Sequence, residues 1–346
     1  MNLLFVIGNG FDLQLGLPTS YQDFYRYYTS TLSQSEAVAR LKKVISKDSQ
    51  NWSDLELALG KLTSKFSDAD LFCEVYDDIQ TELQRYLLKL DELMQAGALS
   101  VNSSFDILSD CIKSPENYFS KEVRESIVSG YNEIFTYDQH SQINIHILTF
   151  NYTHTIEYLL RNPNLPSHIA GSNSIISYLR HIHRDLSPSS SVWLGVDNAE
   201  QIQNESFQSN EEIRLRLIKP EILTEISPVV VDDIDNRISY ADAICLFGVS
   251  LGDTDQTWVE KIGNKIASGT LTMLFAKDNA TFKTDNSKLV YQRRYKKAFI
   301  EKLKTLGLSV DENRLKLYVE INSSIFQKGN TNPHDENLKI LLESLN

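Results

Sequence analysis

The chain has 346 residues, 41% hydrophobic and 23% charged, an ordinary globular composition with room for two domains or one domain carrying a large insertion. Its 46 acidic against 34 basic residues leave a formal charge of −12, which argues against a protein whose main task is to coat a nucleic-acid backbone. Three cysteines, Cys73, Cys111 and Cys245, lie too far apart for a paired-thiolate zinc site and offer no even set for a disulfide framework.

The first predicted element is the run Leu3-Leu4-Phe5-Val6-Ile7, a buried strand broken by Gly8-Asn9-Gly10 where a helix can begin. Glycine lets backbone approach a ligand and a following helix N-terminus attracts anions, so this is where phosphate sites are built. A plain strand-to-helix turn with Asp12 as N-cap explains the same residues. Leu13 stands where the dinucleotide pattern Gly-x-Gly-x-x-Gly needs its third glycine. With no basic leader, and with the apolar run stopped at Gly8, neither a signal peptide nor a membrane span is expected, and a cytoplasmic protein is.

Ser20 with Asp23 resembles a capping box launching a helix through Phe24 and Tyr27. From about 31 to 139 glycine is scarce and apolar residues recur at helical spacing. One stripe is Leu55, Leu59, Leu62 and Phe66; a longer one runs from Phe72 to Leu93; a third runs from Phe119 to Ile134. This reads as an all-helical insertion at 31–139, with 1–30 plus 140–346 forming the remaining core. Ser53 and Glu56 fit a second capping box.

Strand character returns at 143–150, ending in Asn151-Tyr152-Thr153, then at 175–182 with His181-Ile182-His183, and briefly at 192–195. Asn151 serves either a ligand beyond the strand tip or the cap of the next helix. His181 and His183 are spaced to share one face of a strand, but no third ligand with metal-site spacing accompanies them, and no metal is expected. The polar stretch 196–225 reads as a surface loop or lid. Then follow Ala243 to Phe247 with the Gly248-Val249-Ser250-Leu251-Gly252 turn and a helix with acidic caps, a strand at 270–275, a basic helix at 287–306, a strand at 315–321 and a closing helix from Pro333. Strands alternating with helices predict an α/β fold, a doubly wound, mostly parallel sheet.

Four motifs in this order together resemble the bacteriophage abortive infection AbiH family, itself similar to the wider sirtuin-like group of NAD-binding domains. Gly8-Asn9-Gly10-Phe11-Asp12 with Gly16-Leu17-Pro18 is similar in spacing to the group's G-A-G-x-S-x-x-x-G-I-P. Thr149-Phe150-Asn151-Tyr152-Thr153 resembles T-T-N-Y-D, Ile182-His183 resembles the H-G of the catalytic histidine, and Gly248-Val249-Ser250-Leu251-Gly252-Asp253 resembles G-x-S-L-x-D. The resemblance implies a sirtuin-like, DHS-like NAD/FAD-binding fold and an antiphage protein that binds NAD and hydrolyses its nicotinamide–ribose bond. In it Gly8 and Gly10 would cradle phosphates, with Asn9, Phe11, Asp12 and Tyr152 also around the cofactor. Gly248, Ser250 and Leu251 would hold the adenosine side, and Asn151 and His183 would be catalytic. Implied partners are NAD or a related nucleotide and a phage-derived trigger; a homo-oligomer stays open. Two departures stand out: Thr153 replaces an aspartate, and Arg184 replaces the glycine after the histidine. The four-cysteine zinc module of protein deacylases is absent.

Two other readings compete. A non-catalytic nucleotide sensor would suit Thr153 and Arg184. A serine hydrolase would use Ser250, because Gly248 to Gly252 fits the G-x-S-x-G elbow, with His334 as the only later histidine.

Overall fold

The computed structural model describes residues 1–47, 52–135, 142–160, 174–187, 189, 191–250, 252–328 and 333–345. Six parallel strands form one sheet in the order β3-β2-β1-β4-β5-β6. They are β1 (Asn2–Ile7), β2 (Ile143–Thr149), β3 (Ser174–His181), β4 (Ala243–Phe247), β5 (Leu271–Ala276) and β6 (Leu317–Ile321). The predicted parallel α/β sheet is therefore present, and its direction of winding reverses between β1 and β4.

β1 shows why the strands read as continuous apolar runs. Leu3, Phe5 and Ile7 point to one packed layer and Leu4 and Val6 to the other, so both faces of the strand are dry. β2 pairs on one side, Ile7 opposite Thr149, and β4 on the other, Ile7 opposite Phe247. The strand ends that carry Gly8, Phe150 and Gly248 thus lie side by side.

Between β1 and β2 the described chain is helical: α1 (Gly10–Gln14), α2 (Tyr21–Tyr28), α3 (Glu36–Lys47), α4 (Leu55–Leu62), α5 (Ala69–Gln95), α6 (Phe105–Lys113) and α7 (Lys121–Phe135). Ser20 caps α2 as predicted, accepting from the Asp23 N–H at 3.1 Å. At α4 the cap is Asp54, which accepts from the Leu57 N–H, rather than Ser53 with Glu56. The 31–139 stretch divides between two environments. Leu108 and Ile112 of α6 and Ile127 of α7 lie on the sheet with Phe5 and Ile147, whereas α2 to α5 share a separate core with residues 192–218.

α8 (Thr155–Leu160) follows β2. The strand expected at 192–195 is instead loop, held by hydrogen bonds from Gln80 to Val192 O, from Tyr152 to Trp193 O and from Tyr76 to Leu194 O, with one isolated bridge next to it between Val196 and Ile218. The stretch expected as a loop or lid at 196–225 folds into α9 (Glu205–Gln208), α10 (Glu211–Leu217) and most of α11 (Lys219–Ile226). The asparagines that gave it loop composition are caps: Asn198, Asn204 and Asn210 each accept from a backbone N–H two or three residues on. Ile202, Phe207, Ile213 and Leu217 are buried beneath them. α12 (Pro228–Ser239), α13 (Gln256–Ala267), α14 (Asp285–Thr305) and α15 (His334–Leu345) complete the chain. Thr284 caps α14, and Arg293, Arg294 and Lys297 of its basic cluster are exposed as expected. Pro163 and Pro166 lie outside the described residues. Cys73 and Cys245 are buried core residues, as is Cys111. Among the described residues no helix is long and apolar enough to cross a membrane.

Candidate functional site

In an open parallel sheet, ligands collect beyond the carboxyl ends of the strands where the winding reverses. A cavity of about 410 Å³ occupies that place, floored by the loops after β1, β2, β3 and β4 and walled by α4 and α5. Its volume is within the range of small-molecule sites.

The glycines at its floor have a structural reason. A Cβ on Gly8 would lie 2.5 Å from Gly248 O, and one on Gly10 would lie 2.6 Å from Gly248 Cα. Gly248 itself has φ +65°, and its Cβ would meet Phe11 N at 2.7 Å. The loops after β1 and β4 thus touch backbone to backbone. Gly8 N–H donates to Phe247 O, Gly10 N–H to Gly248 O and Phe11 N–H to Gly8 O. Those three N–H groups are taken up by carbonyl oxygens of the two loops, and α1 has only five residues. Gly248→Ala is expected to destabilise by roughly 3 kcal/mol, combining left-handed strain with a clash. Gly97→Ala, at φ +70° with open space around it, isolates the conformational part at about 1 kcal/mol. Urea midpoints of the two variants measure the difference.

At the other side of the floor, β3 delivers His183. Its Nε2 lies 2.7 Å from Asp255 Oδ1, at the end of the 3₁₀ turn Asp253–Asp255 that follows β4. Lys219 Nζ, at the first turn of α11, donates to the same Asp255 oxygen at 2.9 Å and to Glu56 Oε2 at 2.6 Å. Tyr152 OH, which donates to Trp193 O at 2.7 Å, is 3.3 Å from Glu56 Oε1. In the row Glu56–Lys219–Asp255–His183, Glu56, Lys219 and His183 are buried, Lys219 only 2% exposed, and Asp255 is partly buried. Burial alone would raise the Asp255 carboxyl, but Lys219 and His183 outweigh it and hold Asp255 well below the usual carboxylate range. Burial pushes Glu56 up, further than Lys219 draws it down. Lys219, despite burial, is held above its ordinary value by its two carboxylates. A carboxylate can only accept, so Asp255 fixes the proton on Nε2. Among the described residues Nδ1 makes no hydrogen bond, and its lone pair is free for a proton.

Asn151 and Asp12 form the third part. Asn151 is 5% exposed and neither atom of its side-chain amide makes a hydrogen bond among the described residues; it caps no helix. Its backbone is pinned instead, its N–H by Thr149 Oγ1 and its carbonyl by His181 Nδ1 at 2.6 Å. His181 Nε2 meets Glu157 at 2.7 Å, so His181 and His183 serve different partners and do not share a face. Asp12 is 1% exposed; burial pushes its carboxyl up to about 7, against the hydroxyls of Thr153 and Thr155. Thr153 Oγ1 donates to Asp12 Oδ2 while Oδ1 has no partner. Asp12 therefore does not cap α1.

The sequence model described as Bacteriophage abortive infection AbiH matches residues 4–277. This chain belongs to the AbiH family. Membership assigns it to bacteriophage abortive infection. No curated protein resembles the chain closely enough to count as a match.

Of the residues singled out in this AbiH chain, Gly8, Asn9, Gly10, Asp12, Asn151, Tyr152, His183, Gly248 and Ser250 all line the cavity. The Asn9 side chain clasps Thr19, donating to its carbonyl and accepting from its hydroxyl. The Phe11 side chain does not line the cavity; it is buried against Phe247 and Phe326. Leu251 lies outside the described residues. Arg184 keeps the tight turn despite its bulk: it adopts φ 69°, and its guanidinium sits 5.3 Å from the Trp193 ring centre. His334, the partner a Ser250 hydrolase would need, bonds Asp23 at 2.9 Å. The sequence leaves open whether Glu56 reaches the cleft, and it does line the cavity; Asp255 and Lys219 are not marked as site residues by the sequence. Asp255 and Glu56 read as ordinary acids of helix starts, and nothing local marks Lys219.

Proposed function

We propose that this AbiH protein binds NAD in the cavity and hydrolyses the bond between nicotinamide and ribose, so that infection ends in NAD loss. The observation that supports the reading is the conjunction, in one cavity at the reversal of the sheet, of an aspartate-held imidazole with a bare Nδ1 and a buried asparagine amide with no protein partner. A buried amide left unpaired costs free energy unless a ligand completes it.

Cleavage at the ribose C1′ passes through a cationic, oxocarbenium-like sugar. The C1′–N bond breaks with its electron pair passing to the nicotinamide nitrogen, which needs no added proton to leave. Water supplies the new C1′–O bond and gives its proton to His183 Nδ1. Asn151 orients the water or the ribose, and the Asp255 carboxylate steadies the imidazolium that forms. The departure at Thr153 is met in space, since the Asp12 carboxyl stands one hydrogen bond away beside Asn151.

Incubating the protein with NAD and following nicotinamide tests this. Wild type is expected to release nicotinamide, and His183→Ala or Asn151→Ala to lower turnover by a factor on the order of 10² to 10⁴ while the thermal midpoint holds. Turnover equal to wild type in both variants would sink the mechanism. Stabilisation by NAD with no release, even with phage components present, would assign the site to a sensor.

A further inference from the structure

Four elements far apart in the chain converge on one row of charge. Glu56 comes from α4, Lys219 from α11, Asp255 from the turn after β4 and His183 from the loop after β3. Between α4 and α11 the separation is 163 residues. We propose that Glu56, delivered by the helical segment between the first two strands, is a positioning residue that governs through Lys219 whether the His183–Asp255 pair carries a proton.

The row sits at the wall of the cavity with Glu56, Lys219 and His183 buried, where unpaired charge is poorly solvated. Two carboxylates face one ammonium, so with every group ionised the row holds one surplus negative charge. A lone buried charge is expensive, and the row relieves it by binding one more proton. Two sites can take it: the Glu56 carboxyl, or Nδ1 of His183. Asp255 is excluded because Lys219 and Nε2 both spend their protons on it. Glu56 and His183 are thus alternative homes for a single proton, coupled across Lys219 and Asp255.

The remaining groups around the row do not supply that proton. Tyr21, Tyr76 and Tyr152 are each pushed up by burial and stay neutral. Asp54 is occupied as the cap of α4; Asp197, pushed up by burial and by Asp255 although Lys219 draws it down, accepts from the Thr257 N–H and hydroxyl and not from Lys219. The geometry of Lys219 is itself fixed: its N–H donates to Val196 O, and Tyr76 OH of α5 ties Leu194 O and Arg216 O on either side. A shift of α4 relative to α11 would separate Glu56 from Lys219 and leave His183 with a neutral Lys219–Asp255 pair.

The proposal rests on His183 as the base of the reading above, yet its test needs no substrate. The His183 ring is titrated by nitrogen-detected NMR in the full chain. In Glu56→Gln, which keeps an acceptor for Nζ and removes the charge, the titration midpoint is expected to fall by about one pH unit, a tenfold loss of proton affinity. Glu56→Asp, which keeps the charge, is expected to stay near wild type. An unmoved midpoint in Glu56→Gln overturns the proposal, as does a shift in Glu56→Asp as large as that in Glu56→Gln, which would mean packing rather than charge. The acid limb of the nicotinamide-release profile should shift with the NMR midpoint, and a fixed limb counts against the coupling. If wild type releases no nicotinamide, the NAD reading fails while the NMR result still decides the coupling.

Discussion

Lys219→Met is expected to destabilise the protein by roughly 3–5 kcal/mol, the range for breaking a buried ion pair by removing one partner. Methionine nearly matches the lysine stem in volume, so the loss is electrostatic rather than a cavity. Without the ammonium, Glu56 and Asp255 are two carboxyls with no cation between them. Glu56, already pushed up by burial, is then pushed up further, and Asp255 loses the larger of the two partners that hold it low. For a group raised as Glu56 is, the folded form binds more protons, so stability falls as pH rises through the interval between unfolded and folded values. The deficit against wild type should therefore be small in acid, where both carboxyls are protonated folded or unfolded, and should grow toward neutrality. Urea unfolding of wild type and Lys219→Met across that range checks both size and sign. A deficit that does not change with pH would mean that Lys219 acts through its packing. Adding Glu56→Gln to Lys219→Met should return part of the lost stability, because one of the two stranded charges is gone. The two changes share a contact and are expected to be strongly non-additive.

What was legible in the sequence follows how local each signal is. Strands buried on both faces, such as Leu3 to Ile7 and Ala243 to Phe247, are continuous apolar runs, and the parallel sheet could be read from them directly. Long amphipathic helices such as α5 announce their face over seven turns. The short helices α9 and α10 have no such length over which a period can repeat, and their capping asparagines make the segment look like loop. The glycines were legible as a special turn, but their reason was not. It lies in the contact of the loops after β1 and β4, which are 240 residues apart and meet only because β4 pairs with β1. The same holds for the charge row. An aspartate after a glycine turn, a glutamate in a first helical turn and a lysine before a proline are each commonplace, and only the fold makes them neighbours. His183 and Asn151 could be found because both follow strands directly, and a strand tip is a place that a sequence can mark.

Asp255→Asn is expected to cost about as much activity as losing the base itself. The Asp255 carboxylate has only lone pairs to offer, so the imidazole proton sits on Nε2 and Nδ1 is the base. An asparagine amide is nearly the same shape but can present either its oxygen or its NH₂ group. Lys219 Nζ stays on the oxygen side of that contact, because an ammonium cannot bond an NH₂ group. Nε2 meets that same oxygen and goes on donating to it, so Nδ1 remains the base and only the charge is lost. Loss of the carboxylate removes the negative charge that stabilises the imidazolium formed as water gives up its proton. Nicotinamide release should fall by about as much as in His183→Ala, on the order of 10²- to 10⁴-fold, carried by kcat with KM little changed. His183→Ala should be no worse than Asp255→Asn, and the double variant no worse than either, since the two residues act as one unit. A loss in Asp255→Asn below about tenfold would remove Asp255 from the reaction, because a base deprived of the charge that holds its imidazolium could not keep so much of a general-base contribution of 10²- to 10⁴-fold.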